Sequence, residues 1–333
     1  MADYAGKGIW CVAESRRGKL ASTLFELLTA GRRLADERGE PLTAVLIGGP
    51  GVKEQAAEAA DKGADKVLVI EHESLKDYVD EAYAAALKAA AEAEKPKTIL
   101  FPASVYGRSL APRLAVALKA GLAADAVDLE LDGEKRLVVK RSCYAGNVIA
   151  KVLLKSNPEI ATVRPMAFER AAAGDKKAEI ADFAVDPSAW KLRTEYVKFA
   201  ADESDEVDMS GAERIVAGGR GLANAEGFQV IRELAKKFGA AIGASRAAVD
   251  AGWIPYKNQV GLTGRSVRPK LYFACGISGQ IQHLAGMNAS GTIVAINTDA
   301  DCPMMKLATY AVQGDVFKVV PAICAEIDKV RGA

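Results

Sequence analysis

The sequence predicts an α/β protein made of two doubly wound domains, and three observations predict it. Short apolar runs alternate with longer amphipathic runs through the first hundred residues, and the same alternation restarts near residue 212. Between them lies a stretch of charged, small and turn-forming residues. The chain is also 333 residues long, more than one hydrophobic core ordinarily serves, since domains run to roughly 100–200 residues.

In chain order, the strand-like run GIWCVAE is followed by the helical LASTLFELLTAGRRLADE, TAVLIGG by VKEQAAEAADKG, KVLVIE by LKDYVDEAYAAALKAAAEAE, and TILFPAS by RSLAPRLAVALKAG. Strands separated by helices of this length are parallel strands with crossover helices. The Ala-rich AYAAALKAAAEAE reads as a surface helix with a small-residue packing side. Residues 126–165 change character. VDLELD, RLVVKRS, VIAKVLLKS and IATVRP are too closely set for crossovers and predict antiparallel additions to the first sheet. Residues 170–211 read as a connection with one strand-like run, TEYVKFA, and the domain boundary falls near Asp202–Ser210, giving domains of 1–203 and 204–333. In the second domain RIVAGG leads to the helix GFQVIRELAKKFG, whose Phe228, Ile231, Leu234, Ala235 and Phe238 follow helical spacing. AAIGAS, LYFACGIS, TIVAINTD and TYAVQGD are the next strands, and VFKVVPAICAEIDKV closes the chain as a helix.

Composition narrows the function. Hydrophobic residues make up 50% and charged residues 26%, as in globular proteins. Lys+Arg and Asp+Glu number 44 and 43 and are interspersed, which argues against a nucleic-acid binder working through a basic field. The five cysteines (Cys11, Cys143, Cys275, Cys302, Cys324) form no C-x-x-C pair and read as reduced thiols rather than zinc or iron–sulfur ligands. No run approaches the ~18 apolar residues of a membrane span, and no leader pattern precedes GIWCVAE. A cytoplasmic protein is expected.

Ligands in open α/β sheets bind at the carboxyl ends of strands. In the second half these ends carry Arg220 in GGRGL, Ser245-Arg246, GISGQIQH, Asn297 and Gly314-Asp315. Singly, Gly, Ser, Asn and Asp are ordinary turn and cap residues. Five such loops at one sheet edge, two with arginine, point to a phosphate-bearing ligand such as a dinucleotide. Neither G-x-G-x-x-G nor G-x-x-x-x-G-K-[ST] occurs, and the first domain's GGPG lacks polar companions. Ser278 is the expected N-cap of a helix holding His283, one of two histidines. His283 either packs or tunes a ligand whose charge changes; no serine or cysteine is paired with it for hydrolysis, and His72 lies in the other domain. Asp250, Asp299 and Asp301 read as paired carboxylates or metal ligands, but Asp299-Ala-Asp301 reads as readily as a solvated turn. Trp253 fills a loop base or contacts ligand, within a segment, 251–269, whose length and polarity suggest function.

The strings VAGGRGL, GAAIGASRAAVDAGWIPYKNQVGLTGR, PKLYFACGISGQIQHLAGM, TIVAINTD and FKVVP closely resemble the FAD-binding C-terminal domain of the electron transfer flavoprotein alpha subunit, over about residues 212–325. The first domain resembles the family through layout and length. The resemblance implies FAD in a Rossmann-like second domain and a heterodimer with a beta subunit, the first domain making the partner contact. By it, Arg220 lies at the FAD phosphates, and Ser245 and Arg246 flank the isoalloxazine. Val260, Gly261, Leu262 and Thr263 run along the flavin, with Thr263 near N5. Ser278, Gly279, Gln280, Ile281, Gln282 and His283 run from pyrophosphate to ring, with His283 near O2. Asn297, Asp315 and Val316 belong to the adenosine end. Arg246, Thr263 and His283 then tune the flavin, with no catalytic residue in the hydrolytic sense.

The family wording Gly-Gln-Thr-Gly is here Gly261-Leu262-Thr263-Gly264, a variant that suggests a subgroup with different redox partners. The resemblance implies a one-electron carrier between an acyl-CoA dehydrogenase and a membrane quinone reductase. An NADH-oxidising, electron-bifurcating version that also reduces ferredoxin is the other family possibility. From the residues alone, a stand-alone flavin- or nucleotide-dependent α/β enzyme and a non-redox nucleotide-binding regulatory module stay open.

Overall fold

The computed structural model describes residues 6–16, 18–144, 148–174, 178–198, 209 and 211–332. By contact the chain divides into two compact units, Met1–Ala200 and Ala201–Ala333; the boundary expected between 203 and 204 falls outside the described residues.

The first unit begins with β1 (Ile9–Val12), a small hairpin of β2 (Ser15–Arg16) and β3 (Lys19–Leu20), and α1 (Thr23–Arg38), which Gly39 closes in the left-handed conformation at φ 70°. β4 (Leu42–Gly48), α2 (Ala56–Ala60), β5 (Lys66–Glu71), α3 (Asp80–Glu94), β6 (Thr98–Pro102) and α4 (Val105–Ala117) continue the expected alternation. Then come β7 (Leu122–Leu131), β8 (Leu137–Cys143), β9 (Val148–Leu153), β10 (Glu159–Val163) and β11 (Glu179–Asp182). The sheet order is β11-β5-β4-β1-β6-β10-β7-β8-β9. Helix α3 packs through Ala82, Ala84, Ala86, Leu87, Ala90 and Ala91, the small-residue side expected of it.

Two expectations need correction. β7, β8 and β9 form the antiparallel addition, but β10 (the IATVRP run) pairs in parallel with both β6 and β7 in the middle of the sheet. All five of its residues are buried, as suits a strand covered on both faces, whereas β8 and β9 keep one side near solvent. In the supposed connection, the strand is Glu179–Asp182, parallel to β5; residues 194–198 of TEYVKFA are not in a strand, and 199–200 lie outside the described residues.

A buried ion pair fixes β10. Arg38 at the end of α1 donates to Glu159 Oε2 at 2.7 Å, and the two side chains are 0% and 2% exposed. Thr98 of β6 donates to the same oxygen, Leu137 N of β8 donates to Oε1 at 2.8 Å, and Arg38 also reaches Thr98 Oγ1 and the Lys135 carbonyl. One helix and three strands thus meet at a single carboxylate.

The second unit is a five-stranded, all-parallel sheet in the order β13-β12-β14-β15-β16. Its elements are β12 (Arg214–Gly218), α5 (Phe228–Phe238), β13 (Ala241–Ala244), α6 (Arg246–Asp250), β14 (Leu271–Cys275), α7 (Ile281–Leu284), β15 (Thr292–Asn297), α8 (Pro303–Leu307), β16 (Tyr310–Gln313) and α9 (Val316–Gly332). Successive strand residues face opposite ways. Val216, Phe273 and Ile296 pack under α5 and α9 through Phe228, Ile231, Leu234 and Val320. Ile215, Tyr272 and Ile293 on the other face are covered by Val260 and Val267 of a long loop and by Met287 and Met304. Among the described residues no helix is long and apolar enough to cross a membrane.

Breaking the Arg38–Glu159 pair strands a buried charge. Arg38→Met is expected to destabilise the first unit by about 3–5 kcal/mol, read as a lowered urea midpoint, and adding Glu159→Met should recover part of that loss.

Candidate functional site

At the carboxyl edge of the second sheet lies a cleft of about 780 Å³, within the range usual for ligand sites. Its floor is made by backbone. Gly219 N donates to the Cys275 carbonyl at 2.9 Å and Gly221 N to the Gly276 carbonyl at 3.0 Å, so the loops after β12 and β14 touch without side chains. A Cβ on Gly219 would stand 2.3 Å from the Gly276 carbonyl oxygen, a contact that no substituted residue could make. Arg220 rides on this contact, exposed at the cleft.

After β13, Ser245 occupies the N-cap position of α6, but its hydroxyl makes no capping bond. Its Oγ is buried and has no hydrogen-bond partner among the described residues. Arg246 lines the cleft with its guanidinium 3.1 Å from Asp250, four residues on, in an exposed pair. The segment 251–269 then crosses the sheet face. Asn258 anchors it by donating to the Ile242 carbonyl at 2.9 Å, and Val260 N donates to Ala244 at 2.9 Å. These bonds present Val260, Gly261, Leu262 and Thr263 along one wall. The Thr263 hydroxyl accepts from the Gln259 amide at 3.0 Å, which leaves its own proton for donation. Tyr256 Oη holds the Thr263 carbonyl. Trp253 packs against the α5–α9 core and does not line the cleft.

The loop after β14 supplies Ser278, Gly279, Gln280, Gln282 and His283. Gln280, not Ser278, stands at the N-cap of α7; Ser278 instead accepts Met304 N through its carbonyl at 3.1 Å, because Gly279 (φ 83°) turns the chain before the helix begins. Leu262 N donates to the Gln282 carbonyl at 2.7 Å, joining this loop to the 260–263 wall. His283 is only 6% exposed. Its Nε2 lies 3.0 Å from Tyr272 Oη, while its buried Nδ1 has no hydrogen bond of normal geometry. Burial pulls the ring's pKa down to about 4, against a weaker opposing pull from the nearby Val260 backbone, so the imidazole is uncharged at neutral pH. Burial also raises the Cys275 thiol to about 12, which removes it as a nucleophile.

Asn297 ends β15 at the cleft, donating to the Ile277 carbonyl at 3.1 Å. Three sequence-predicted residues do not line the cleft: Ile281 is exposed on α7, Asp315 caps α9 through Phe317 N at 2.9 Å, and Val316 is buried in the core. Asp250 and Asp299 do line it, and so does Gln259, which the sequence reading passed over. Asp301 does not.

The first unit treats its equivalent edge differently. A cleft of about 690 Å³ opens beside the GGPG loop, but Glu54 and Glu58 line it. Gly51 N and Lys53 N both donate to the Glu71 carboxylate, at 3.1 and 3.0 Å. Between the ends of β1 and β6, Tyr78 and Tyr106 stack at 4.0 Å with Arg16 over the Tyr106 ring, leaving a cavity of about 20 Å³.

Fold and site together define, among the described residues, an α/β protein with a ligand-sized cleft at a parallel sheet edge, lined by buried polar atoms that a ligand would satisfy. Comparison with known proteins gives this class its family. The family described as "Electron transfer flavoprotein domain" matches residues 9–188, and that described as "Electron transfer flavoprotein FAD-binding domain" matches residues 208–288. The chain is 44% identical over 333 residues to the electron transfer flavoprotein subunit alpha of Thermoanaerobacterium thermosaccharolyticum, covering 99% of this chain and 100% of that protein. It is 40% identical over 326 residues to the Bacillus subtilis protein of the same description, covering 98% and 99%. It is 38% identical over 357 residues to the acryloyl-CoA reductase electron transfer subunit beta of Anaerotignum propionicum, covering 98% and 97%. The chain belongs to the electron transfer flavoprotein alpha subunit family, and is thereby a flavin-binding subunit of electron transport.

The buried neutral histidine has a pH signature. Between about 6.5, the unfolded value, and about 4 the unfolded chain binds a proton that the folded chain refuses, so stability falls as pH falls through this window. The slope is about 1.4 kcal/mol per pH unit. Denaturant midpoints of the second unit measured from pH 7 to pH 4 should fall more steeply in the natural chain than in His283→Gln.

Proposed function

We propose that the cleft holds FAD and that the chain works as one half of a heterodimer with a beta subunit. The observation that carries this reading is the pair of orphaned buried atoms, Ser245 Oγ and His283 Nδ1, in one cleft with Arg220, Ser278 and the 260–263 wall. FAD supplies the one- and two-electron chemistry. What the chain supplies is binding, orientation and a fixed field.

In this reading Arg220 and the loop Ser278–Gln282 hold the pyrophosphate, using guanidinium charge and backbone brought close by Gly219 and Gly276. Ser245, Arg246 and Val260–Thr263 bracket the isoalloxazine, and the Thr263 hydroxyl donates toward the ring because Gln259 already fills its acceptor side. His283 offers a hydrogen bond from a site that excludes water. Asn297 serves the adenosine end, with Asp315 and Val316 one strand further along the edge and Ile281 contributing backbone only.

We place the donor and acceptor among acyl-CoA dehydrogenases and quinone reductases, and the protein in the cytoplasm. The description of the Anaerotignum propionicum relative supports the acyl-CoA side. In a second reading the heterodimer oxidises NADH and divides electrons between ferredoxin and an acyl-CoA dehydrogenase, a version left open by Leu262. It is 61% exposed on the cleft wall where the family motif has Gln, so the edge of the flavin site there is apolar.

Co-purified with its beta subunit, the chain should show flavin absorption bands and release FAD on denaturation; a colourless complex would overturn the reading. Gly219→Ala, which forces the Gly276 loop away, should lower bound FAD at least tenfold. Reduction of the complex by NADH alone separates the second reading from the first.

A further inference from the structure

Tyr272 lies behind His283, as the second residue of β14, and has no exposed surface. It does not line the cleft. Its Oη sits 3.0 Å from His283 Nε2, and among the described residues the phenol has no other hydrogen-bond partner. The distance alone does not say which atom donates, but the inventory of protons does. A neutral imidazole carries one N–H, and a phenol carries one O–H.

Suppose Nε2 held the ring proton and Tyr272 accepted it. The phenol's own hydrogen would then be buried without an acceptor, and Nδ1 would be a buried acceptor without a donor. If Tyr272 donates instead, Nε2 and the phenol satisfy each other and a single group, Nδ1–H, is left over, near the Val260 backbone but without a hydrogen bond of normal geometry. Each buried hydrogen bond left unmade is a cost, so the second arrangement is preferred by one such bond. The group left over belongs to a residue that lines the cleft, where a ligand can take it up. Burial separately raises the pKa of the Tyr272 phenol, so it keeps its proton to donate.

We propose that Tyr272 is a positioning residue that locks His283 in the Nδ1–H tautomer, so that the ring presents a hydrogen-bond donor, and never an acceptor, to a flavin in the cleft. This rests on the reading of the cleft as an FAD site. His72, the chain's other histidine, provides a contrast: its Nδ1 accepts from Ser74 N at 3.1 Å, which puts its proton on Nε2.

Because the chain has only two histidines, labelling it with ¹⁵N-histidine gives a two-ring NMR spectrum. It is recorded at pH 8, above the ordinary histidine range, on the full chain alone and in complex with unlabelled beta subunit and FAD. The expected spectrum has one ring protonated at Nδ1 and one at Nε2, the latter lost in His72→Gln. In Tyr272→Phe the Nδ1–H signal of His283 should give way to a mixture of tautomers. In the same variant the flavin midpoint potential should shift while FAD per chain stays unchanged. A His283 ring protonated at Nε2 in the natural chain would overturn the proposal, as would an undiminished Nδ1–H signal in Tyr272→Phe. The natural-chain spectrum decides the matter even if the variant does not fold. Failure of the natural complex to retain FAD would sink the cofactor reading, whereas the spectrum of the chain without FAD tests the tautomer independently.

Discussion

The site depends on two loops meeting backbone to backbone. Gly219 and Gly221 lie against Gly276 so closely that the amides of one loop bond the carbonyls at the end of the neighbouring strand. A second contact of the same kind joins Gly286 to Gly261, where a Cβ would stand 2.5 Å from the Gly261 Cα. Together they draw the loops after β12 and β14 and the long segment after α6 into one wall and floor. Where side chains are missing, peptide groups can approach a ligand, and this is why glycine clusters at phosphate-binding edges. The cleft is therefore a property of contacts between loops more than of any single residue in it.

The electrostatics follow from what covers the sheet. One face of the second unit is sealed by α5 and α9, the other by loop, short helices and methionines. The loop-covered face leaves room for a ligand and still buries His283 and Tyr272 deeply enough to keep the imidazole neutral. Charge at the site comes instead from Arg220 and from Arg246, whose field is partly offset by Asp250. A neutral donor inside and guanidinium groups outside divide the work: geometry is set in the buried part, and attraction for an anionic ligand in the exposed part.

Much of this was legible in the sequence because it is local. The strand-end loops were readable from turn and cap chemistry, and the segments read as strands or helices depend only on short-range periodicity. Pairing across long separations was not readable. β10 sits between β6 and β7 because Glu159 needs Arg38, 121 residues away, and nothing in EIATV announces that partner. The five residues are buried on both faces, but Glu159 and Thr162 break the continuous apolar run by which the sequence would have signalled it. Ser278 read as a cap because the sequence does not reveal that Gly279 would turn the chain first. The Tyr272–His283 contact spans a loop whose return path is set by the glycine contacts, so the strand LYFAC looked merely apolar. The order, spacing and wording of the second half carried the family resemblance, and that identification survived where individual placements such as Asp315 did not line the cleft.

The Glu71 carboxylate bears on why two units of related architecture differ in their relation to ligand. It occupies, from within the chain, the position over Gly51 N and Lys53 N that an anion would take. A covalently tethered group competes at an effective concentration in the millimolar range or above, set by its tether rather than by the surroundings. A free phosphate ester would have to displace it while also facing Glu54 and Glu58. The backbone donors at this edge of the first unit are thus already satisfied from within the chain.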